Sequence, residues 1–464
     1  MGANAFSVRG RRVLVVGAAR SGIAAAEVAA RRGADVTLTE MRQTFEVMDR
    51  LRAEGVQLEL GGHKVETFTS GDLIVTSPGV PLEQPVFDAA RALGIEIIGE
   101  LEFAWRFVSG RVIAITGTKG KSTTTTLIGR MLEASGTTTL VGGNIGTPLS
   151  AQVDQSTPET IHVVETSSFQ LETTTTFRPW IAVWLNFAAD HLDRHPTEEA
   201  YAAAKARIFA NQHQNDWAVL NADDPEVLHR ARETAARRVL FSLAGAPGDG
   251  FVVDGDAIVH RTGTDGERLI PLAAVELTGR HMLNNVLAAA AAAHIAGVRP
   301  PAMLEALRGF HGLPHVMEPV ADLAGVRFVN DSKATNVEAA RRSIESFDRG
   351  VVAIIGGRYK GGDFGELRGA LGSRGRAVVA IGEASGRVRD ALEGTVPVIE
   401  ATSMTDAVAR GYEAARPDGV VLLAPACSSF DWFRDYAERG EVFKQEVRRL
   451  RGRIAGTVEE KREQ

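Results

Sequence analysis

Residues 111–123, RVIAITGTKGKST, constrain the fold of this chain more than any other stretch of its sequence. An apolar run rich in β-branched residues leads into a glycine-rich turn, after which Lys121 and Ser122 open a helical segment. This order predicts a strand, a tight turn and a helix whose N-terminus faces an anion together with the amides of the turn. The Lys121 ammonium adds a positive charge there, and the Ser122 hydroxyl can hold the Mg²⁺ that accompanies a nucleotide.

The loop departs from the full phosphate-loop pattern G-x-x-x-x-G-K-[ST], because Ile115 stands where the first glycine is expected. A shorter pattern, T-G-T-x-G-K-[ST], remains, and it predicts binding of ATP with Mg²⁺. The residues predicted to surround the nucleotide phosphates are Gly117, Thr118, Lys119, Gly120, Lys121, Ser122 and Thr123.

The bulk composition excludes several classes of protein. A chain of 464 residues exceeds one ordinary core, so two or three domains are expected. With 44% hydrophobic and 24% charged residues it is typical of a soluble globular protein, and a formal net charge of −6 argues against a dedicated nucleic-acid binder. No apolar run reaches ~18 residues, so neither a membrane span nor a signal peptide is expected. The single cysteine, Cys427, excludes an internal disulfide, suits a reducing cytoplasm and is expected to be a small buried side chain.

The first part of the chain has the pattern of a parallel sheet. Residues 11–40 form a strand, a glycine turn, an alanine-rich helix and a second strand, which is a βαβ unit. Further strands are expected at 73–80 and 96–100. The segment 101–110, LEFAWRFVSG, is expected to be a linker.

The remainder alternates strands and helices twice more. Helices are expected near 122–134, 197–210 and 282–296, and the Gly- and Asp-rich stretch 240–278 predicts a small antiparallel subsheet. From residue 312 onward, strands again precede polar or glycine-rich turns. The expected fold is therefore α/β with three domains: a Rossmann-like domain at 1–104, a central parallel sheet carrying the phosphate loop at 105–311, and a second Rossmann-like domain at 312–464.

The first glycine turn, Gly17 to Gly22, resembles the dinucleotide fingerprint but has Ala19 at the middle glycine. Glu40 ends the next strand, where an acidic residue would meet a ribose. Because Ala19 removes the closest approach of backbone to a pyrophosphate, three interpretations stay open: NAD, another nucleotide diphosphate, or a turn without a ligand.

Carboxylates and imidazoles follow two strands of the central region: Glu165, Glu172, Asp190, His191, Asp193 and His195. A carboxylate beside Ser122 would complete an oxygen-rich site for a hard cation. DHLDRH could instead be a solvated helix start, since aspartates favour that position. The phosphate loop upstream favours the cation site.

Lys205 lies in the helix TEEAYAAAKARIF, one turn after Tyr201 and before Ile208 and Phe209, so its side chain is expected to face partly inward. An inward lysine is ordinarily a member of an ion pair. A desolvated amine also loses its proton more easily and could take up CO₂ as a carbamate.

Small polar and cationic residues follow three strands of the third region: Asp331, Lys333, Thr335, Asn336, Lys360, Ser428 and Ser429. Each group could belong to an ordinary turn. Three such turns in one region favour a face that binds carboxylates and phosphates.

Taken together, these motifs resemble the Mur ligases of peptidoglycan synthesis, and the resemblance covers essentially the whole chain in order. The matching motifs are ITGTKGKST (115–123), VGGNIG (141–146), ETSSFQLE (165–172), DHLDRH (190–195), GRHMLNN (279–285), GLPH (312–315), NDSKATN (330–336) and PACSSFD (425–431). Within that family, the βαβ unit of the first domain and Lys360 in GGRYKGG favour the branch that adds D-glutamate.

The resemblance implies ATP-driven amide formation: the carboxylate of UDP-N-acetylmuramoyl-L-alanine attacks the γ-phosphate, and the D-glutamate amine displaces phosphate from the acyl phosphate through a tetrahedral intermediate. The enzyme supplies positioning and charge neutralisation. The same resemblance implies a cytoplasmic monomer that needs ATP and Mg²⁺, takes small-molecule substrates, and neither binds nucleic acid nor inserts into membranes.

The resemblance also implies roles for individual residues. Lys121 would hold the β- and γ-phosphates, Ser122 with Glu165 would bind one Mg²⁺, and His191 with a carbamylated Lys205 would bind a second. The remaining nucleotide contacts would be Asn285, Asp331 and Lys333. The remaining substrate contacts would be Ala18, Ala19, Arg20, Ser21, Glu40, Arg42, Ser77, Pro78 and Gly79 for the UDP moiety, Asn144 and His191 near the reacting end, and Thr335, Lys360, Ser429, Phe430 and Tyr436 for D-glutamate.

The chain departs from the family pattern at two positions. Met282 stands where an asparagine is usual, which removes one expected adenine contact, and Val316 stands where an arginine associated with the γ-phosphate is usual. Arg341, Arg342 or Arg358 could supply that charge. Alternatives are a sibling Mur ligase or folylpolyglutamate synthase with another amino acid, a nucleotide-binding homologue without catalysis, and more distantly an NAD oxidoreductase.

Overall fold

The computed structural model describes residues 6–188, 194–245, 248–277, 280–359 and 361–460. These residues form three sheets, and the chain divides into two compact units, Met1–Phe310 and His311–Gln464. The first unit contains two of the sheets and the second unit contains the third. The α/β class expected from the sequence is confirmed.

The first sheet is wholly parallel, with strand order β3-β2-β1-β4-β5. The central pair β1 and β4 is apolar and almost completely buried, as a strand covered on both faces requires. The predicted βαβ unit is confirmed. Its elements are β1 (Arg12–Val16), α1 (Arg20–Arg31), β2 (Asp35–Glu40), α2 (Met48–Ala53), β3 (Gln57–Leu60), α3 (Val65–Ser70), β4 (Leu73–Thr76), α4 (Pro85–Ala92) and β5 (Glu96–Gly99).

The expectation of a linker at 101–110 was wrong, because α5 (Glu100–Trp105) is a buried helix that joins the first two sheets. Its Glu102 carboxylate, fully buried, accepts hydrogen bonds from the backbone N–H groups of the residues at 175–177 and from Arg106. Burial alone would raise the pKa of Glu102, but these hydrogen bonds outweigh it and lower the pKa. The two sheets of the first unit are thus tied by an ionised, fully satisfied carboxylate.

The central sheet has the order β14-β13-β12-β11-β10-β9-β6-β8-β7. Strands β12 to β7 in that order pair in parallel, and β12, β13 and β14 form the antiparallel subsheet that the sequence predicts. Its elements are β6 (Arg111–Thr116), α6 (Lys121–Ala134), β7 (Thr139–Gly143), β8 (Ile161–Glu165), α7 (Ser168–Leu171), β9 (Ile181–Trp184), α8 (Glu198–Ala206), β10 (Trp217–Asn221), α9 (Pro225–Arg230), β11 (Arg237–Ser242), β12 (Gly250–Asp254), β13 (Ala257–Thr262), β14 (Asp265–Pro271), α10 (Arg280–Ile295) and α11 (Pro300–Leu307).

The third sheet has the order β15-β16-β20-β17-β18-β19, with β15 antiparallel to β16 and the other pairs parallel. Because β16, β20 and β17 are neighbours, their carboxyl ends lie at one edge. The elements are β15 (Glu318–Leu323), β16 (Val326–Asn330), α12 (Val337–Glu345), β17 (Val351–Gly356), α13 (Arg368–Arg374), β18 (Gly375–Ile381), α14 (Ser385–Leu392), β19 (Val398–Glu400), α15 (Met404–Ala415), β20 (Val420–Leu423) and α16 (Tyr436–Glu460).

Among the described residues, no helix combines the length and apolar character needed to cross a membrane.

Candidate active site

Four strands of the central sheet end at one edge, and that edge carries Glu165 and the phosphate loop that leads to Lys121. Strand β6 lies between β8 and β9, and β7 lies beside β8. Glu165 is the last residue of β8, opposite Ile115 of β6 and Gly143 of β7. The phosphate loop, Asn144 and Glu165 therefore share the carboxyl edge, where parallel α/β sheets place their ligands.

The phosphate loop depends on glycines at both of its ends. Gly117 and Gly120 have φ of +149° and +83°, which side-chain-bearing residues rarely adopt. A Cβ on Gly120 would also lie 2.1 Å from Asn285 Oδ1. Asn285 on α10, almost fully buried, is thus packed directly against the loop backbone.

The N-terminus of α6 has the features of an anion site. Its N-cap is Gly120, with no side-chain cap and no acidic residue in the first turn, whereas α7, α8 and α9 are capped by Ser167, Thr197 and Asp224. The first amides of α6 thus receive no side-chain cap, and such amides attract phosphate oxygens.

Two lysines converge on the loop. Lys121 Nζ donates to the backbone oxygen of Gly117 at 2.8 Å and to that of Thr118 at 3.1 Å. Lys205 Nζ, from α8, donates to the same Gly117 oxygen at 2.9 Å and lies 4.6 Å from the centre of the Tyr201 ring. Lys205 is 1% exposed, so the inward orientation that its helix position predicts is confirmed. Two ammonium groups around one carbonyl create a positive field suited to phosphate.

Asn186, which the sequence argument passed over, fixes the shape of the loop. Its Oδ1 accepts from the N–H groups of Thr118 and Lys119 at 3.1 and 2.9 Å, and its Nδ2 donates to the Lys119 oxygen at 3.0 Å. The Asn186 side chain thus hydrogen-bonds the loop backbone as the backbone of a neighbouring strand would. Its place directly after β9, the strand beside β6, is the signal that could have found it.

Glu165 offers a carboxylate oxygen to a cation. The side chain is 2% exposed; Oε1 accepts from Asn144 Nδ2 at 2.7 Å, while Oε2 is buried with no hydrogen-bond partner among the described residues. A buried carboxylate oxygen without a partner is costly unless an ion or water satisfies it. Together with the half-buried Ser122 hydroxyl, this donor set fits Mg²⁺, which prefers oxygen ligands.

The predicted acidic and imidazole cluster is described only in part. Asp190, His191 and Asp193 lie outside the described residues. Glu172 Oε1 accepts from Arg194 at 2.8 Å, and His195 Nε2 lies 2.9 Å from Ser168 Oγ. The described members therefore anchor the 194–195 segment to α7.

The first glycine turn is held by a carboxylate. Glu40 Oε2 accepts from the Ala18 N–H at 2.7 Å, and Oε1 accepts from the Arg42 N–H at 3.0 Å. Burial alone would raise the pKa of Glu40, but the Arg42 side chain and these two N–H groups lower it to about 2. The turn also receives the Ser77 hydroxyl on the Gly17 oxygen at 3.0 Å.

This turn also presents an uncapped helix, since α1 begins after Ala19 without a side-chain cap. Arg20 in its first turn donates to the Gly146 oxygen at 3.1 Å, in the motif that carries Asn144. The first glycine turn and the VGGNIG motif are therefore in direct contact.

In the second unit, the turn after β16 is tightly organised. Asp331 is buried; Oδ1 accepts from the Met317 N–H at 3.1 Å and Oδ2 accepts from the Ser343 hydroxyl. Burial raises the pKa of Asp331 despite these bonds. Lys333 is exposed, and its N–H donates to the His315 oxygen at 3.1 Å, which joins the GLPH and NDSKATN motifs.

Arg439 on α16 connects this turn to the turn after β20, and nothing in the sequence argument pointed to it. It is 1% exposed; Nε donates to Ser332 Oγ at 2.9 Å, and the two terminal nitrogens donate to the oxygens of Ser332 and Cys427 at 2.9 and 3.1 Å. Burial lowers the pKa of Arg439 to about 10.

Of the other residues predicted to hold the amino acid, Ser429 is buried and Thr335 is half-buried, whereas Phe430 and Tyr436 are exposed. Lys360 lies outside the described residues. Cys427 is buried, as predicted.

Comparison with known proteins settles the family. Three family models match consecutive parts of the chain: "Mur ligase MurD-like, N-terminal domain" at residues 11–99, "Mur ligase middle domain" at 115–293 and "Mur ligase, glutamate ligase domain" at 317–427. The chain belongs to the Mur ligase family.

Its relatives among curated proteins are similar over nearly their whole length. The UDP-N-acetylmuramoylalanine–D-glutamate ligase of Acidobacterium capsulatum is 46% identical over 455 residues, which cover 97% of this Mur ligase chain and 99% of that protein. The protein of the same name from Koribacter versatilis is 44% identical over 448 residues, covering 96% and 99%.

Solved Mur ligase structures share the fold. UDP-N-acetylmuramate-alanine ligase MurC from Thermotoga maritima has a TM-score of 0.55 at 18% identity, covering 95% of this chain and 100% of that one. MurF ligase from the same organism, in complex with ADP, has a TM-score of 0.55 at 18% identity, covering 96% of each chain.

The two departures from the Mur ligase pattern have structural consequences. Met282 Sδ accepts from Asn285 Nδ2 at 3.6 Å, so the methionine steadies the asparagine that packs on the loop. Two of the arginines considered as replacements for the one expected at Val316 are paired with carboxylates: Arg341 with Glu345 at 2.7 Å and Arg358 with Glu383 at 3.2 Å.

Proposed function

We propose that this chain is an ATP-dependent ligase that adds D-glutamate to UDP-N-acetylmuramoyl-L-alanine, through an acyl phosphate and a tetrahedral intermediate, and releases ADP and phosphate. The curated relatives carry the name of that activity at 46% and 44% identity over nearly the full chain. The enzyme is proposed to act as a monomer in the cytoplasm, where nucleotide-linked precursors are made.

The proposed division of labour follows the three sheets. Residues 1–104 hold the UDP-linked substrate, 105–311 hold ATP, and 312–464 hold the incoming amino acid. The first glycine turn supports this assignment, because its helix has no side-chain cap and its Glu40 is committed to shaping the turn. The whole set proposed for the UDP moiety is Ala18, Ala19, Arg20, Ser21, Glu40, Arg42, Ser77, Pro78 and Gly79.

The phosphates of ATP are proposed to lie on the loop 117–123. The amides at the start of α6 receive the β- and γ-phosphate oxygens, and Lys121 exchanges its contacts with the loop carbonyls for contacts with phosphate. Glu165 and Ser122 hold Mg²⁺, which when bound neutralises charge on the phosphoryl group. Asn144 orients Glu165 through its 2.7 Å hydrogen bond and is proposed to contact the substrate near its reacting end. Asn285, Asp331 and Lys333 are proposed to complete the nucleotide site.

Lys205 is proposed to carry CO₂ as a carbamate and, with His191, to form a second cation site. Its burial and its position beside Gly117 support this, since a desolvated amine is more readily deprotonated. Carbamylation would replace the Lys205 ammonium by an anionic carbamate beside the loop. The side chain would then be a metal ligand instead of a positive charge that attracts phosphate.

D-glutamate is proposed to bind at the carboxyl edge of the third sheet. Thr335, Ser429, Phe430, Tyr436 and the Lys360 cation are the proposed contacts. The side-by-side order of β16, β20 and β17 supports this, because it places the turns that carry Thr335, Ser429 and Phe430 at one edge.

The observation that carries the proposal is the buried Oε2 of Glu165, which has no hydrogen-bond partner within the described ranges. It lies one strand away from the strand that leads to α6, whose N-terminus begins with Lys121 and has no side-chain cap. An anion site and a cation site side by side are what activation of a carboxylate by MgATP requires.

The test is phosphate release from ATP with UDP-N-acetylmuramoyl-L-alanine and each candidate amino acid. D-glutamate should stimulate release, and Lys121→Ala and Glu165→Gln should each lower kcat by ~10²–10³-fold, as the loss of one charge-stabilising group does elsewhere. Lys64→Ala and Glu159→Gln, exposed residues of the same types, serve as matched controls and should leave the rate unchanged.

Stimulation by L-lysine, L-alanine or diaminopimelate instead of D-glutamate would assign the chain to a sibling activity. Equal turnover in Lys121→Ala and wild type would indicate a nucleotide-binding homologue without catalysis.

A further inference from the structure

We propose that His260, Glu267 and His294 form a binding site for a divalent transition metal of the zinc class, separate from the reaction site. The three residues come from three elements of the first unit: β13, β14 and α10. One ligand atom from each lies within 4.8 Å of the other two.

The register of the hairpin creates the first half of this site. His260 pairs with Glu267 across the antiparallel strands β13 and β14, so both side chains leave the same face at the same level. His294 reaches that face from α10, and its Nδ1 lies 3.9 Å from Glu267 Oε2. Two ligands of one zinc ion, each at about 2.1 Å, lie at most ~4.2 Å apart. A small side-chain rotation therefore closes the trio around an ion.

An aromatic platform holds the two imidazoles in place. The buried Phe251 stacks on His260 with ring centres 4.4 Å apart and meets His294 edge-on at 5.5 Å. The two histidine rings are themselves 4.7 Å apart. Restricting both rings before the metal arrives lowers the cost of binding.

The surroundings favour a cation that can enter from solvent. The Glu267 side chain is 46% exposed and that of His294 is 28% exposed, which leaves an open path and room for a water ligand. His294 lies in the last turn of α10, where the helix dipole favours positive charge.

The ligand atoms of this site differ in type from those of the reaction site, so the two sites should prefer different metals. Two imidazoles and one carboxylate suit zinc, cobalt or nickel, whereas magnesium prefers oxygen ligands alone. Asn285, which packs against the phosphate loop, lies nine residues before His294 on α10, or about 13 Å along the helix axis. A metal here would fasten the β13–β14 hairpin to the far end of the helix that supports the nucleotide site.

The test is titration of the full chain with Co²⁺ in excess Mg²⁺, followed by its visible absorption, with Zn²⁺ added to displace it. Wild type should bind one equivalent with the strong bands of a low-coordinate nitrogen site. His260→Gln, His294→Gln and Glu267→Gln should each weaken binding at least ~10-fold, a loss that mutations merely beside a metal ligand already reach. His213→Gln, at an exposed histidine outside the cluster, is the control and should bind like wild type.

Two further measurements distinguish an ion at this cluster from an ion at the reaction site. Glu165→Gln should retain the cobalt bands, and loss of the bands there would place the ion at the reaction site and overturn the proposal. Zn²⁺ should raise the melting temperature of wild type but not of Glu267→Gln, whose exposed side chain leaves the fold intact. Equal Co²⁺ affinity in wild type and all three cluster variants would also overturn it.

Discussion

Gly120 and Asn285 show how contact at the phosphate loop restricts the identity of single residues. Gly120 needs a positive φ and has no room for a Cβ, because Asn285 Oδ1 would lie 2.1 Å away. Asn285 is in turn steadied by Met282. The methionine at a position where the family pattern has an asparagine therefore keeps a role in the site, by packing and a weak sulfur contact instead of a polar contact with a ligand.

Glu40 gives a prediction at the same scale. Its pKa is lowered from 4.5 to about 2 in the folded chain, so the ionised form stabilises the fold above pH 4.5 and this contribution is lost as the pH falls from 4.5 toward 2. Glu40→Gln should thus lower the melting temperature near neutral pH, and the difference from wild type should shrink steadily below pH 4.5. Thermal unfolding of both proteins across that range is the measurement.

Glu54→Gln, at an exposed glutamate of the same domain, is the matched control for Glu40→Gln. A difference between Glu40→Gln and wild type that stayed constant with pH would show that the carboxylate is not what holds the turn.

At the scale of elements, three turns at the edge of the third sheet are joined by side-chain hydrogen bonds. The turns after β16 and β20 are linked by Arg439 of α16, and the Ser428 hydroxyl of the second turn donates to the Arg358 oxygen after β17 at 3.0 Å. The amino-acid site proposed there is therefore positioned from α16, an element that contributes Tyr436 as its one proposed ligand contact.

Arg439→Lys tests this positioning. A lysine keeps the charge but cannot span both turns, because it lacks the planar fork of donors. We expect the free energy of unfolding to fall by about 1.5–3 kcal/mol, the usual loss for a hydrogen bond to a charged group. The KM for D-glutamate should rise well above wild type while the KM for the UDP-linked substrate stays unchanged.

Arg434→Lys, just before the same helix, is the control, since its side chain is 84% exposed. Equal increases in both KM values, or none, would show that Arg439 has no specific role in positioning the amino-acid site.

Site residues could be predicted from the sequence where their partners lie close in the chain, and were missed where those partners lie far away. The phosphate loop was predictable because its glycines, Lys121 and Ser122 are contiguous. Asn186 and Arg439 were missed because their partners lie 67 and 107 residues away, and only the strand order brings them together. The buried helix α5 was mistaken for a linker, because the hydrogen bonds that stabilise the buried Glu102 carboxylate come from the distant segment 175–177.

At the scale of the whole molecule, the two compact units divide the proposed ligands unequally. Met1–Phe310 contains Glu165 and the N-termini of α1 and α6 that are proposed to bind phosphates, whereas His311–Gln464 contains the edge proposed for D-glutamate. Nucleotide binding is therefore expected to raise the free energy of unfolding of the first unit more than that of the second.

Differential scanning calorimetry of the full chain should consequently resolve two unfolding transitions, one for each unit. ADP with Mg²⁺ at ~100 times its Kd should stabilise the first unit by about 2.7 kcal/mol, because it binds the folded state alone. A unit of 310 residues should respond with a rise of about 4 °C in its transition, with a smaller shift for the second unit. Lys121→Ala should abolish the larger shift, whereas Lys64→Ala should preserve it. Equal shifts in both transitions, or an undiminished shift in Lys121→Ala, would mean that the phosphate loop is not the dominant contact. A single transition would contradict the expectation that the two units unfold separately.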